Sequence, residues 1–246
     1  MSHPIIALWS HPRSMSTAFE RIMRTRGDLK CLHEPFMYDY YIHRSKREMP
    51  HFDAKDDHPR DYQSIRDMIL AKAESSPVFF KDMSYYVMPH LFDDPEFVDR
   101  VTHSFLVREP VASIVSYAKL DPELTLEEIG IEAQWRHFER LPKAVVVLSE
   151  DVRSDAAGTM QRYWSAVGLA DKPQALDWNQ PAPEDWQQVS GWHKDVMTSK
   201  GIKPLESDHE ARTQAQFAQL VAEQPRFQKF YEHHKAFYDL LRARAI

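Results

Sequence analysis

The sequence predicts an α/β fold, a three-layer sandwich in which a central parallel sheet lies between helices. Short apolar runs bounded by polar residues or proline occur at 5–9, 78–81, 104–108 and 144–149. The stretches between them repeat their apolar residues at helical spacing. Strands that alternate with helices form right-handed parallel crossovers, and strands without polar alternation are buried on both faces.

The elements follow one another in a regular order. The first strand, IIALW, runs into a polar turn and the helix-like stretch MSTAFERIMRTR, and a short second strand is expected at LKCL. The helix-like YQSIRDMILAKAE precedes the strand VFFK, and VASIVSYAKL follows the strand SFLVR. TLEEIGIEAQWRHFERL then precedes the last strand, AVVVLS, and helical periodicity resumes beyond it. Ligands of such a sheet bind at the carboxyl ends of its strands.

We interpret residues 1–246 as a single domain. Residues 37–60 are charged, aromatic and poorly periodic, and they are predicted to form an excursion or lid over one edge of the sheet. Residues 171–207, rich in Pro, Trp and Gln, are predicted to be a second irregular segment.

Composition restricts the class of protein. The formal net charge of −6 is opposite to that of most nucleic-acid binders, so no nucleic-acid partner is expected. The single cysteine cannot form an internal disulfide, and the longest apolar runs are too short to span a membrane. The histidines lack the spacing of metal ligands. These features predict a cytoplasmic protein, a monomer or homodimer, with no membrane association and no metal site.

The stretch SHPRSMSTAFE after the first strand has the properties of an anion-binding loop. Unpaired backbone N–H groups and the helix dipole favour an anion at the start of a helix. Arg13 adds a guanidinium group, and Ser14, Ser16 and Thr17 add hydroxyl donors. The alternative is that Ser14 or Ser16 is only a helix N-cap.

This loop lacks the lysine of the ATP-binding GxxxxGK[ST] pattern. It resembles instead the 5′-phosphosulfate loop of sulfotransferases that use 3′-phosphoadenosine 5′-phosphosulfate (PAPS). The resemblance implies PAPS as the donor, a P-loop-like sulfotransferase fold and a small-molecule acceptor. Pro12, Arg13, Ser14, Ser16 and Thr17 fit the pattern, whereas Met15 replaces a glycine and must adopt the backbone geometry that glycine often supplies.

A second motif, REPVASIVSY, resembles the segment of the same family that holds the 3′-phosphate. There an arginine ends a strand and a serine follows eight positions later, as Arg108 and Ser116 do here. A weaker resemblance, in VVVLSED, implies only capping and packing. Many relatives also carry an Arg-Lys-Gly loop over the cofactor, and here Trp192 and Lys194 of GWHKD are candidates to replace it.

The resemblance also implies a division of catalytic roles. Arg13 and Lys81 are expected to stabilise the departing phosphate. Met83 stands where the eukaryotic cytosolic members carry a histidine base. Some bacterial and carbohydrate members use a glutamate soon after the first helix instead, so the resemblance implies Glu34 as the general base, with Asp82 and His33 as alternatives. Glu34 could instead form a salt bridge to an arginine such as Arg13.

The predicted reaction is sulfuryl transfer to a hydroxyl or amine of a small metabolite. Two other interpretations stay open at this point. One is a P-loop kinase or other nucleotide phosphotransferase on the same fold. The other is a non-catalytic relative that binds a nucleotide.

Overall fold

The computed structural model describes residues 2–88, 90–141, 143–179 and 181–246, without the side chains of residues 194 and 195. Five parallel strands form one sheet in the order β2-β3-β1-β4-β5. The strands are β1 (Ile5–Ser10), β2 (Lys30–His33), β3 (Val78–Met83), β4 (Val101–Val107) and β5 (Val145–Leu148).

Helices connect successive strands and cover both faces of the sheet. Of the described residues, those in α-helices are α1 (Ser16–Thr25), α2 (Tyr62–Ala73), α3 (Ser84–Val87), α4 (Pro95–Arg100), α5 (Pro110–Ala118), α6 (Ile131–Phe138), α7 (Ser149–Ser154), α8 (Ala156–Ala166), α9 (Lys194–Thr198), α10 (His209–Glu223) and α11 (Arg226–Arg242). None of these described helices is both long enough and apolar enough to cross a membrane.

The central strand β1 is fully buried because helices pack on both of its faces. Ile5, Ala7 and Trp9 belong to one apolar core, and Ile6 and Leu8 belong to the other. Apolar runs without polar alternation therefore form this sheet, as the sequence predicts.

The chain reverses its direction of travel across the sheet between β1 and β4. The connection after β1 leads towards β2, whereas the connection after β4 leads towards β5 on the opposite side. Such a reversal leaves a crevice beyond the carboxyl ends of the two strands, where ligands of open α/β sheets bind. Residues 11–15 and Arg108 lie at this crevice.

The structure differs from the predicted elements mainly at their ends. β3 continues through Met83, so Lys81 lies within the strand, where it pairs with Leu8 of β1 and His33 of β2. The segment 37–60 begins with a π-helical turn, Asp39–His43, whose tyrosines are buried. The segment 171–207 contains 3-10 helix at Pro173–Leu176 and Glu184–Trp192.

Candidate active site

The loop between β1 and α1 makes its turn with two non-glycine residues in left-handed backbone geometry. Arg13 has φ 62° and Met15 has φ 72°. Met15 is also the N-cap of α1, and no side chain caps the helix there. Neither Ser14 nor Ser16 is therefore the N-cap, and the first N–H groups of α1 remain available to an anion.

Hydrogen bonds from β4 and α7 hold the loop in place. The backbone N–H of Arg108 donates to His11 Nε2 at 3.0 Å, and Ser149 Oγ donates to the Ser14 carbonyl at 2.5 Å. Burial lowers the pKa of His11 to about 3, so its imidazole is neutral and accepts this bond. The hydroxyl of Ser14 is buried and has no hydrogen-bond partner among the described residues.

The two predicted anion motifs meet at Arg13. Its Nε donates to Ser116 Oγ at 2.9 Å, and Arg108 Nη1 donates to the Arg13 carbonyl at 2.8 Å. Arg13 Nη1 donates to the Trp192 carbonyl at 2.7 Å, and the Trp192 indole donates to the Pro50 carbonyl at 2.7 Å. Trp192 thus joins the 37–60 segment to the loop, whereas the Lys194 side chain lies outside the described residues.

Glu34 and Lys81 form a buried ion pair beside the loop. Lys81 is 0% exposed and Glu34 is 4% exposed. Glu34 follows β2 with φ 43°, a conformation that non-glycine residues seldom adopt outside sites that constrain them. The salt bridge considered for Glu34 therefore exists, but its partner is Lys81 and not Arg13.

Asp82, one of the alternative bases, is fully buried. It accepts hydrogen bonds from the backbone N–H groups of Phe36 at 2.7 Å and Met83 at 3.0 Å. Burial, with a smaller contribution from Glu34, raises its pKa well above the usual value. Asp82 does not line the adjoining cavity, and its bonds fix the chain on either side of the site.

A cavity of about 310 Å³ opens at the carboxyl ends of the strands. Its cations come from four elements: Arg13 from the loop, Lys81 from β3, Arg108 after β4 and Arg153 from α7. Burial, together with the charge of Arg153, lowers the pKa of Arg108 to about 10. The other predicted site residues that line the cavity are Met15, Ser16, Thr17 and Glu34, whereas Ser14 and Ser116 lie behind it.

His193, which is not among the site residues predicted from the sequence, lines the cavity, and it contacts His33, one of the alternative bases. Thr17 Oγ1 lies 3.3 Å from His193 Nδ1, His193 Nε2 lies 3.1 Å from His33 Nε2, and His33 Nδ1 lies 2.6 Å from Glu20 Oε2. We call this series the Thr17 chain. The sequence signal for it was faint: His193 follows Trp192 directly, but it is 160 residues from His33.

Ligand atoms of His33, Glu34 and His193 lie within 4.8 Å of one another, although the spacing of the histidines predicted no metal site. Lys81 already holds the Glu34 carboxylate, and the two imidazoles hydrogen-bond to each other. We therefore interpret the group as a hydrogen-bonded cluster beside the predicted anion-binding loop.

A family model of the sulfotransferase domain matches residues 4–234. The chain belongs to the sulfotransferase family. Its fold is similar to that of the sulfotransferase domain of the Synechococcus PCC 7002 olefin synthase, with a TM-score of 0.57 and 17% identity, covering 91% of this chain and 95% of that one. It is also similar to a mouse sulfotransferase complexed with PAP, with a TM-score of 0.50 and 12% identity, covering 94% and 89%.

Two curated Arabidopsis thaliana proteins are also similar to this chain. Branched-chain-amino-acid aminotransferase-like protein 1 is 25% identical over 212 residues, which are 82% of this chain and 37% of that protein. Protein 2 of the same name is 23% identical over 207 residues, 80% of this chain and 36% of its own length. The chain thus spans little more than a third of either relative.

Proposed function

We propose that this protein transfers a sulfuryl group from PAPS to a hydroxyl or amine of a small metabolite. The observation that carries the proposal is the convergence of four cationic side chains and the uncapped start of α1 on one cavity that also contains a buried carboxylate. A cavity with this charge pattern suits a multiply charged anion together with an uncharged nucleophile.

Two parts of the wall suit two phosphate groups of the donor. The first turn of α1, with Arg13, Ser16 and Thr17, is suited to the 5′-phosphosulfate. Arg108 is suited to the 3′-phosphate, Ser116 lies directly behind it, and the contacts of both residues with Arg13 support a shared ligand. The mouse sulfotransferase structure contains PAP, adenosine 3′,5′-bisphosphate, and the presence of this nucleotide in a similar fold is consistent with the assignment.

Glu34 is our candidate for the general base. As the acceptor oxygen or nitrogen bonds to sulfur, Glu34 takes its proton, while the bond from sulfur to the phosphate oxygen breaks. Lys81 and Arg13 stabilise the negative charge that develops on the leaving phosphate oxygen. Lys81 thereby serves both groups, because it holds the Glu34 carboxylate beside the reacting centre.

The acceptor side of the cavity is aromatic. Tyr41, Tyr85, Tyr86 and Tyr117 line it together with Met49. Because the cavity of about 310 Å³ must also admit part of the donor, this composition favours a compact and largely apolar acceptor.

The residue that follows β5 argues against the kinase interpretation. A P-loop kinase needs a metal-binding aspartate directly after such a strand. Ser149 occupies that position, and its hydroxyl donates to the Ser14 carbonyl.

The test is a thermal-shift comparison of adenosine 3′,5′-bisphosphate with ATP and Mg²⁺. At a ligand concentration of 100 Kd, the bisphosphate should add about 2.7 kcal/mol, or roughly 5–10 °C in Tm for a chain of this size. Arg108→Ala should abolish most of this shift while changing little the smaller shift given by adenosine 5′-monophosphate. Stabilisation by ATP and Mg²⁺ alone would refute the proposal, and bisphosphate binding without any sulfuryl transfer would favour a non-catalytic relative.

A further inference from the structure

We propose that the Thr17 chain couples anion binding at the loop to the uptake of one proton, with His193 as the positioning residue that switches the Thr17 hydroxyl towards the donor. This inference rests on the proposed function for the identity of the nucleotide. The coupling itself requires only that an anion accepts a hydrogen bond from Thr17.

Each imidazole of the Thr17 chain has one defined hydrogen-bond partner at each of its two ring nitrogens. Glu20 Oε1 accepts from Arg24 Nε at 2.6 Å and from Trp186 Nε1 at 3.0 Å, so its Oε2 is the acceptor available to His33 Nδ1. His33 Nε2 then meets His193 Nε2, and His193 Nδ1 meets the Thr17 hydroxyl. Glu20 and His33 are buried and do not line the cavity, which excludes bulk water as a substitute partner for them.

The number of protons fixes the direction of these bonds. When both imidazoles are neutral, His33 donates from Nδ1 to Glu20, so its Nε2 is an acceptor. His193 must then donate from Nε2, which makes its Nδ1 an acceptor. The Thr17 hydroxyl is consequently the donor to His193, and its single proton is unavailable to an anion.

One additional proton reverses the direction of two hydrogen bonds in the Thr17 chain, the one between His33 and His193 and the one between His193 and Thr17. A proton added at His33 Nε2 donates to His193 Nε2, and His193 now carries its own proton on Nδ1. This Nδ1–H donates to Thr17 Oγ1, and the Thr17 hydroxyl is released to donate to an anion in the cavity. The side chains of His33, His193 and Thr17 then carry four hydrogen-bonding protons instead of three, and the fourth proton comes from solvent.

The electrostatic surroundings keep the chain in the first arrangement until an anion arrives. Burial lowers the pKa of both His33 and His193 well below the usual value, and the charge of Lys81 lowers both further. An anion beside Thr17 offsets this positive charge and so favours the protonated arrangement. The charged groups that face the two imidazoles are Arg13, Glu20, Arg24 with its partner Asp185, Glu34 and Lys81.

The experiment is calorimetric titration of adenosine 3′,5′-bisphosphate at pH 7 in two buffers of different ionisation enthalpy, with EDTA present throughout. The dependence of the heat on the buffer gives the number of protons taken up. Wild type is compared with Thr17→Val, which removes the hydroxyl and retains the shape, and with Thr17→Ser, which retains the hydroxyl. Protons that the ligand's own phosphates exchange cancel in the difference between variants.

We expect wild type and Thr17→Ser to take up more protons than Thr17→Val, by a difference that approaches one. Affinity in wild type should weaken as pH rises, by up to about tenfold per pH unit, and this slope should be shallower in Thr17→Val. His193→Phe should match Thr17→Val in both measurements. Equal proton numbers in wild type and Thr17→Val, with binding retained, would overturn the inference.

Inorganic sulfate, which does not titrate near neutral pH, separates this inference from the proposed function. If the bisphosphate fails to bind while sulfate binds with proton uptake, the nucleotide assignment fails and the coupling stands. If sulfate binds without uptake, the coupling fails. Failure of both anions to bind would overturn both proposals.

Discussion

The buried pair of Glu34 and Lys81 makes the most demanding prediction, because stability and turnover both depend on it. Lys81 is 0% exposed and Glu34 is 4% exposed, and His33 Nε2 lies 4.0 Å from the Glu34 carboxylate. Removing one member of a buried ion pair costs about 3–5 kcal/mol, because the remaining charge is left uncompensated.

The perturbation is a double-mutant cycle of Lys81→Met, Glu34→Gln and the double variant. Lys81→Met should cost about 3–5 kcal/mol, which lowers Tm by roughly 6–20 °C for a chain of this length. Glu34→Gln keeps an acceptor for the ammonium group and should cost about 1.5–3 kcal/mol. The double variant lacks both charges, so no unpaired charge remains buried. Its loss of unfolding free energy should therefore be about 1–3 kcal/mol smaller than the sum of the two single losses.

Urea unfolding followed by circular dichroism measures each corner of the cycle. Turnover is measured in parallel, and Glu34→Gln should bind the bisphosphate normally while sulfuryl transfer slows by about 10²-fold or more. Additive single costs, each below about 1 kcal/mol, would refute the buried pair. Near-normal turnover in Glu34→Gln would move the role of base to Asp82 or His33.

Two further predictions concern the loop. Met15, at φ 72°, should tolerate glycine with a stability change below about 1 kcal/mol, because relief of left-handed strain offsets the greater entropy of the unfolded chain; Met15→Val should cost about 1–2 kcal/mol more by urea unfolding, and equal costs would contradict the left-handed geometry. The pKa of His11, lowered to about 3, gives stability that is present above pH 6.5 and lost as pH falls, because only the unfolded chain takes up the proton. Between pH 7.5 and 5.5 this one group should cost about 1.4 kcal/mol, so urea unfolding of His11→Asn should show a shallower pH dependence, and an unchanged dependence would contradict the assignment.

The sequence predicted the fold well because local signals determine it. The runs at 5–9, 78–81, 104–108 and 144–149 became β1, β3, β4 and β5, and LKCL located β2 to within one residue. The contact of Arg13 with Ser116 brings together two motifs that lie 103 positions apart in the sequence. This meeting could be predicted because each motif is recognisable in its own short stretch of sequence, and because parallel strands bring their carboxyl ends to one edge of the sheet.

The rest of the site depended on contacts that no local pattern encodes. Glu34 and Lys81 form a pair because the register of β2 against β3 sets His33 opposite Lys81. His193 reaches Thr17 only because the 184–192 segment folds back over α1. Arg153 reaches the cavity for a similar reason, because α7 follows the last strand and directs the arginine towards Met15.

The positions of the four cations explain how a loop without glycine or lysine can still suit an anion. A P-loop of the ATP type takes its lysine from the loop itself, and glycines let the backbone approach the phosphates. Here the lysine comes from the neighbouring strand β3, and Arg13 and Met15 adopt left-handed geometry at a cost of about 1–2 kcal/mol each. Hydrogen bonds from β4 and α7 hold that geometry. Because the charges come from separate elements, the site requires the whole sheet to be in register, and we expect its affinity for anions to depend on the core as well as on the loop.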